Sequence, residues 1–411
     1  MNKKENSERF DFFLVLAIVL ISGNPILTNN IGMDFLYVIL LLLLFFKKTH
    51  LKHFTFNKKK TNQLLGIILF FVIILIIQFF SSSNIYFYTN IGFLLKIIVG
   101  WFVIITINNF WEKFIKVILS IGKISLLFYF PRLLLDLLFG FDIANIFQPL
   151  IDFFAHHNSD HIFIYNFDTI TRNAALFGEA GLFAAHLIYA LIFLIINKNK
   201  YQKKKFRNYF LLLSIMLFTT LSTTAYTLYL LILLLYFNFS IKENKKYLFA
   251  RIVLYILTIT SITIYFIELD FMQGKIAHQL EQTQAREGNF HTTRFGNFVV
   301  DYEYFKKKPL FGYGINKNLR YSNSISQNQI IDESGGGLSS IFVYFGLVGF
   351  IFITWLLYDT FRKFEINKMN SFFITLIIFG TLVGQPMISY PIFFVLLFNS
   401  SEKNNSLLTQ L

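Results

Sequence analysis

Between two glutamines the chain consists entirely of apolar residues and one glycine: Leu64-Leu65-Gly66-Ile67-Ile68-Leu69-Phe70-Phe71-Val72-Ile73-Ile74-Leu75-Ile76-Ile77. With its flanks, residues 62–80, this run approaches the ~20 mainly apolar residues that a helix needs to cross the hydrocarbon core of a bilayer. The stretch therefore predicts a membrane-spanning helix.

The composition of the whole chain agrees with a membrane protein. Of its 411 residues 55% are hydrophobic and only 15% are charged, and phenylalanine alone supplies 54. A soluble protein carries about 25% charged residues. This much apolar surface has to face lipid or other membrane helices. Because the chain has no cysteine, disulfides, thiolate metal sites and cysteine nucleophiles are excluded.

Apolar runs and flanking charges together predict about twelve spans in an all-α, polytopic membrane protein. The predicted spans are residues 10–23, 32–46, 62–80, 91–108, 113–138, 174–196, 208–221, 223–239, 248–267, 336–358, 370–385 and 388–399. The polar run Thr219–Thr224 interrupts one long apolar stretch at 208–239. A tight hairpin of two short helices is the favoured interpretation there, and a single long tilted helix is the alternative.

The positions of lysine and arginine predict the orientation. They gather in the two tails and in alternate loops, for example at 47–60, 198–207, 242–246 and 362–368. The positive-inside rule places these segments, and both termini, in the cytoplasm. The net charge of +14 is then mainly a topology signal, because no single loop combines the charge with interleaved aromatics as a nucleic-acid-binding surface would.

Two long loops, residues 140–171 and 268–334, lie on the opposite side of this single transmembrane domain, residues 1–411. Loops this long are usually functional, although they could simply link helices. The segment Phe295–Phe305 predicts a helix lying on the membrane, because Phe298, Tyr302 and Phe305 share one face and Asp301 is displaced from it.

The first loop ends on two residues that could carry chemistry. Arg172 stands where the chain re-enters the membrane, and Glu179 follows seven residues later inside the predicted span. Seven residues are two helical turns, so the two side chains are expected on one face. An acid within a span is a functional candidate, and a structural partner for an arginine or an amide is the equal alternative. On an earlier span, Arg132 and Asp136 are four residues apart and could pair.

Glycines in the second loop predict special backbone geometry. Gly312 and Gly314 flank Tyr313, which predicts a tight turn. A phosphate-cradling loop is a weak alternative there. Gly335–Gly337, at a helix entrance, could expose amides to an anion or act as a hinge. His156, His157 and His161 match no strong metal site, and a solvated loop is favoured.

The order of motifs resembles a known superfamily. Arg172 precedes Leu176-Phe177-Gly178-Glu179-Ala180, and a hairpin with Leu221-Ser222-Thr223 follows. Then come Thr293-Arg294, Lys308-Pro309-Leu310-Phe311-Gly312-Tyr313-Gly314 and finally Phe345-Gly346-Leu347-Val348-Gly349. Over residues 165–355 this order is similar to the Wzy O-antigen polymerase and O-antigen ligase superfamily.

The resemblance implies an all-helical fold related to the lipid-dependent (GT-C) glycosyltransferases, acting on glycans carried by undecaprenyl pyrophosphate at the periplasmic face of the bacterial inner membrane. It implies activity-related roles for Arg172 and Arg294. The ligase branch has a histidine-asparagine pair where this chain has Asp332-Glu333-Ser334, which moves the resemblance toward the polymerase branch.

Two arginines could hold a pyrophosphate leaving group, because arginine stays charged and its planar fork matches phosphate oxygens. Glu333 or Glu179 could accept the proton of the acceptor hydroxyl. In the second loop His291, Tyr313, Arg320 and Arg286 are predicted to bind substrate.

The favoured function is a polysaccharide polymerase that needs no metal or cofactor, with a chain-length regulator as a further partner and no nucleic acid. The alternatives are an O-antigen ligase that transfers glycan to lipid A–core, a lipid-linked oligosaccharide transporter, and a structural membrane protein.

Overall fold

A computed structural model describes residues 3–24, 27, 32–50, 58–81, 87–139, 161–162, 165–166, 172–240, 294–315, 337–364 and 366–398. Within them the chain is helical except for turns and one antiparallel strand pair of two residues each, β1 (His161–Ile162) and β2 (Tyr165–Asn166). The all-α fold class predicted from the sequence is confirmed.

The α-helices, numbered along the chain, run as follows: α1 Lys3–Ile21, α2 Met33–His50, α3 Lys58–Ser81, α4 Phe87–Thr106, α5 Phe110–Phe139, α6 Ala180–Ile196, α7 Lys203–Thr219, α8 Thr223–Ser240, α9 Arg294–Lys307, α10 Gly337–Arg362, α11 Lys368–Gly384 and α12 Pro391–Leu397. Short 3-10 turns occur at Lys198–Lys200 and Met387–Ser389.

Every predicted span overlaps a helix, apart from 248–267, which lies outside the described residues. Among the described residues, four helices are long and apolar enough to cross a membrane: Lys58–Ser81, Thr89–Thr106, Phe110–Phe139 and Gly337–Arg362. Shorter apolar helices cover Ala180–Ile196, Thr223–Phe239 and Lys368–Gly384. The protein is thus a polytopic membrane protein, as predicted, while the count of twelve spans and the single transmembrane domain stay predictions.

The apolar stretch at 208–239 forms two helices, which confirms the hairpin interpretation. The chain reverses between α7 and α8 at Leu221, whose φ is +46°. Two tyrosines of α8 hold the pair together: Tyr226 Oη donates to the Phe218 carbonyl at 2.8 Å, and Tyr229 Oη donates to Ser214 Oγ at 2.8 Å. The polar residues therefore lie where the chain has to turn.

Helix α6 forms the core of one compact unit, residues 1–54, 102–242 and 390–392. Nearly all its side chains are buried, and α5, α7 and α8 pack against it. Trp111 of α5 stacks on Phe193 of α6 with ring centroids 3.6 Å apart. Elsewhere in this unit, Lys113 of α5 donates to the Asp11 carboxylate at 2.8 Å, and Lys47 contacts the same carboxylate.

Helix α10 organises the second unit, residues 55–101, 243–389 and 393–411. It packs against α11, α9 and α3. Phe352 stacks on Phe70 of α3 with centroids 3.5 Å apart, and Phe345 lies 5.0 Å from Phe71. The helix is broken at Gly346, whose backbone is not helical (φ +65°, ψ −166°).

Candidate functional site

The segment from Arg172 to Glu179, here called the Arg172 segment, leads into α6 without being helical. The predicted span 174–196 becomes helical only at Ala180, and Ala175 has a φ of +51°. Glu179 precedes the helix in extended conformation (φ −138°), and its side chain is exposed. The prediction that Arg172 and Glu179 share a helical face inside the span is therefore wrong, because no helix connects them.

Asn173 determines this geometry. Its side chain is fully buried. Its amide nitrogen Nδ2 donates to Thr219 Oγ1 at 2.9 Å, while its oxygen Oδ1 accepts from the Ala175 amide at 3.1 Å and from the Ser125 hydroxyl. Its backbone amide donates to the Thr219 carbonyl at 3.0 Å. An asparagine that binds the amide two residues on favours a turn over a helix, and this signal was missed in the sequence.

Arg172 lies against the turn between α7 and α8. Its Nε donates to the Thr220 carbonyl at 3.5 Å, and its side chain is half-buried. The hairpin turn thus supports both Arg172 and its neighbour Asn173. The hydrogen bond to the turn restricts the orientation of the Arg172 side chain.

The Arg172 segment is also attached to the end of α1. The Gly178 amide donates to the Gly23 carbonyl at 3.0 Å, and Asn24 Nδ2 donates to the Leu176 carbonyl at 2.8 Å. Phe177 is buried and lies parallel to Phe183 with centroids 5.6 Å apart. Contacts from α1, α5 and the α7–α8 turn therefore hold a segment that has no regular structure of its own.

Replacing Asn173 by alanine is expected to lower the free energy of unfolding by about 1–3 kcal/mol, because the buried Ser125 and Thr219 hydroxyls lose their shared partner. The midpoint of thermal unfolding in detergent measures this. Asn197→Ala is the matched control, since the side-chain amide of Asn197 donates to the Phe193 carbonyl at 2.9 Å at the other end of α6. Equal shifts in both variants would contradict the central role of Asn173.

In the second unit, Arg294 is the first residue of α9. The predicted helix over Phe295–Phe305 is confirmed. Its Phe298 and Tyr302 are exposed, at 56% and 49%, whereas Asp301 is buried, at 1%. Asp301 thus faces the protein, and Phe298 and Tyr302 are available to contact lipid. That α9 lies on the membrane stays a prediction.

Asp301 attaches α9 to α10. Ser339 Oγ, in the first turn of α10, donates to Asp301 Oδ2 at 2.5 Å. Four residues on, Phe305 packs edge-to-face on Phe342 with centroids 5.5 Å apart. A cavity of about 180 Å³ beside this contact is lined by Phe298, Asp301, Tyr302, Phe305, Ser339 and Phe342. Sequence reasoning noticed Asp301 but assigned it no role.

The turn Lys308–Gly314 fills the break in α10. The amides of Tyr313 and Gly314 donate to the carbonyls of Val343 and Tyr344 at 2.8 and 2.9 Å. In return, the amides of Leu347 and Val348, beyond the break, donate to the carbonyls of Pro309 and Leu310 at 2.8 and 3.1 Å. The backbone groups that a broken membrane helix would leave unsatisfied are therefore paired by this turn.

The tight turn predicted from the two glycines is confirmed, since Gly312 and Gly314 have φ of +68° and +76°. The alternative of a phosphate cradle is wrong, because the Gly312 amide donates to the Lys308 carbonyl at 3.2 Å and the next two amides bind α10. Tyr313, a predicted substrate-binding residue, is only 8% exposed and its ring lies 5.7 Å from that of Tyr304. Partial burial raises the pKa of Tyr313 and lowers that of Lys308.

Several predicted site residues lie outside the described part of the chain. They are Glu333 with its neighbours Asp332 and Ser334, and His291, Arg286 and Arg320. Of Arg294 the structure describes the backbone position. The described candidates are thus Arg172 and Glu179 in one unit, and Arg294 and Tyr313 in the other.

Residues 209–354 match the protein family described as O-antigen ligase. The match extends from α7 through the α7–α8 hairpin, α9 and the Lys308–Gly314 turn to the second half of α10, and it includes Arg294 but not Arg172. The resemblance to the O-antigen polymerase and ligase superfamily is confirmed over this part of the chain. No curated protein matches the sequence.

Proposed function

From the O-antigen ligase match over residues 209–354, we propose that this protein is a polysaccharide polymerase of the bacterial cytoplasmic membrane. It transfers a growing glycan from undecaprenyl pyrophosphate onto a lipid-linked repeat unit at the periplasmic face, with both termini in the cytoplasm. The observation that carries the proposal is this family match, and one arginine in each unit supports it. Arg172 rests on the α7–α8 turn, and Arg294 begins a helix that is fastened to α10.

The position of Arg294 favours an anion. Residues 301 and 305 of α9 contact residues 339 and 342 of α10 in the same order, so the two helices run parallel and begin at the same end. The N-terminus of a helix carries a partial positive charge. Two such ends, together with a guanidinium, suit a pyrophosphate group that gains charge as its bond to the sugar breaks.

The reaction needs one proton acceptor. The acceptor hydroxyl oxygen attacks the anomeric carbon of the transferred glycan. The bond between that carbon and the pyrophosphate oxygen breaks, and undecaprenyl pyrophosphate leaves with both electrons. The hydroxyl proton passes to a carboxylate, for which we propose Glu333 or Glu179. Glu179 is exposed and belongs to the same segment as Arg172. Attack opposite the leaving group inverts the anomeric centre.

The remaining residues have supporting roles in this proposal. His291, Arg286 and Arg320, all in the second long loop, contact the glycan or its phosphates. The buried ring of Tyr313 instead holds the Lys308–Gly314 turn, since it packs against Tyr304 and Lys308 lies 4.8 Å from its centroid. A chain-length regulator would act as a separate protein partner.

An O-antigen ligase is the second candidate, and the description of the matched family favours it. The ligase would use lipid A–core as the acceptor instead of a lipid-linked repeat unit. The sequence Asp332-Glu333-Ser334, where the ligase branch has a histidine-asparagine pair, favours the polymerase.

The deciding experiment supplies the purified protein with a defined lipid-linked repeat unit and no nucleotide sugar. A ladder of longer lipid-linked glycans on a gel is expected. A parallel reaction also contains lipid A–core. Glycan transfer to lipid A–core without a ladder would make the protein a ligase, and an unchanged repeat unit in both reactions would overturn the proposal.

A further inference from the structure

The cavity between α9 and α10 is walled mainly by aromatic rings. Its volume is about 180 Å³, and the residues around it are Phe298, Asp301, Tyr302, Phe305, Ser339 and Phe342. The four residues that α9 contributes follow one another at spacings that place them on one side of the helix. Pockets for drug-sized ligands begin at ~300 Å³, so this smaller cavity suits a single ring.

Contacts between α9 and α10 fix the inner wall of this cavity. Phe305 packs edge-to-face on Phe342 with centroids 5.5 Å apart, and Phe342 stacks on Phe350 with centroids 4.3 Å apart. Beside these rings, the Asp301 carboxylate accepts the Ser339 hydroxyl hydrogen at 2.5 Å. Side chains held in this way lose little conformational freedom when a ligand binds, which lowers the cost of binding.

The outer part of the cavity has two exposed rings and a charged rim. Phe298 and Tyr302 are 56% and 49% exposed. Lys306 Nζ lies 4.5 Å from the centroid of the Tyr302 ring and donates to the Glu303 carboxylate at 2.8 Å. The side chains of Lys306 and Glu303 both reach solvent. Because a charged pair is costly to remove from water, the Tyr302 end of the cavity does not lie in hydrocarbon.

A sugar ring matches both the aromatic wall and the charged rim. One face of a pyranose consists mainly of C–H groups, which carry a partial positive charge and pack favourably on the negative face of an aromatic ring. The hydroxyl groups at its edge need hydrogen-bond partners, and Lys306 and Glu303 offer a donor and an acceptor at the rim. An acyl or prenyl chain would use the aromatic rings but not the charged rim.

We propose that this cavity binds the sugar that is bonded directly to the pyrophosphate of the lipid-carried glycan. Arg294, to which we assign the pyrophosphate, is the first residue of α9, and Phe298 is the fifth. Four residues span about 6 Å along the helix axis, which agrees with a sugar bonded directly to that group. The inference rests on the proposed function and extends it, because Phe298 and Tyr302 then contribute to which first sugar the protein accepts.

The test compares the binding of two ligands to the purified full-length protein in detergent. One is undecaprenyl pyrophosphate alone, and the other is the same carrier bearing only the first sugar of the repeat unit. We expect Phe298→Ala and Tyr302→Ala each to weaken binding of the sugar-bearing carrier about 10-fold, because each removes a ring face. Binding of the carrier alone should not change. Phe298→Tyr and Tyr302→Phe keep the rings and should bind the sugar-bearing carrier within about 3-fold of the wild type.

Phe13→Ala is the matched control, because Phe13 of α1 is also an exposed phenylalanine on a helix, at 63%, and this variant should bind both ligands like the wild type. If the two alanine variants of α9 weaken both ligands equally, the rings bind the lipid chain or only support the fold, and the inference is overturned. Unchanged binding of both ligands would also overturn it, whereas the proposed function stands as long as the wild type elongates the repeat unit. A wild-type protein that binds neither ligand would contradict the proposed function and this inference together.

Discussion

Arg294→Lys is expected to lower the rate of glycan elongation by about 100-fold or more while the protein still inserts and folds. Lysine retains the positive charge but loses the planar fork that holds two phosphate oxygens at once. Loss of a single preorganised donor at a developing negative charge typically costs 10²–10³ in rate. Arg172→Lys should have an effect of the same order, because it also loses the Nε bond to the Thr220 carbonyl.

The matched control is Arg207→Lys. Arg207 is exposed near the start of α7, so the same chemical change there should leave elongation intact. The measurement is the initial rate of repeat-unit consumption by purified protein, normalised to the amount that elutes as a folded species. Wild-type rates in Arg294→Lys and Arg172→Lys would rule out a fork-dependent role for both arginines.

The sequence predicted the membrane helices well because their cause is local. A run such as residues 62–80 has to be helical in lipid, since every backbone group must be paired within the segment. The hairpin at Thr219–Thr223 was predicted for a similar reason, as polar residues interrupt an apolar run. Helix α9 followed from the spacing of Phe298 and Tyr302.

The beginning of α6 was predicted incorrectly because its cause is distant in sequence. Ala174-Ala175-Leu176-Phe177 reads as apolar helix, and local propensity favours one. The segment is held out of the helix by Asn173, through hydrogen bonds to Ser125 and Thr219, which are 48 and 46 residues away. Tertiary contacts of this kind override helix propensity, and the local sequence does not identify the residues that make them.

The same limit applies to the second unit. Two glycines indicated a turn at Lys308–Gly314. The backbone of α10 to which this turn is hydrogen-bonded is a separate part of the chain, so the sequence of the turn does not identify it. The burial of Asp301 against Ser339 likewise depends on which face of α9 meets α10. A sequence shows that an acid lies off the apolar face of a helix; only the packing shows what that acid binds.

Gly346→Ala is expected to destabilise the protein by about 3–5 kcal/mol. Gly346 has φ +65° and ψ −166°, a conformation nearly restricted to glycine. A Cβ placed there would lie 2.2 Å from the Leu310 carbonyl oxygen, which is the acceptor for the Val348 amide. Either α10 straightens and expels the Lys308–Gly314 turn, or the turn shifts and leaves backbone groups unpaired.

Gly66→Ala provides the control, because a Cβ at this exposed position on α3 meets nothing within 4 Å. It should be neutral or slightly stabilising, as alanine favours a helix by about 1 kcal/mol over glycine. Thermal unfolding midpoints in one detergent compare the two variants. A Gly346→Ala protein as stable as Gly66→Ala would contradict the broken form of α10.

Gly346→Ala should also lower the rate of glycan elongation, through the position of Arg294. Helix α9 is fixed at Asp301 by Ser339 and at its end by the turn in the α10 break. When the turn is displaced, α9 loses the contacts that hold its end, so we expect Arg294 to lose a defined position. At a temperature where Gly346→Ala remains folded, elongation per folded molecule should therefore fall at least about 10-fold. Full activity in such a protein would show that Arg294 does not depend on the turn.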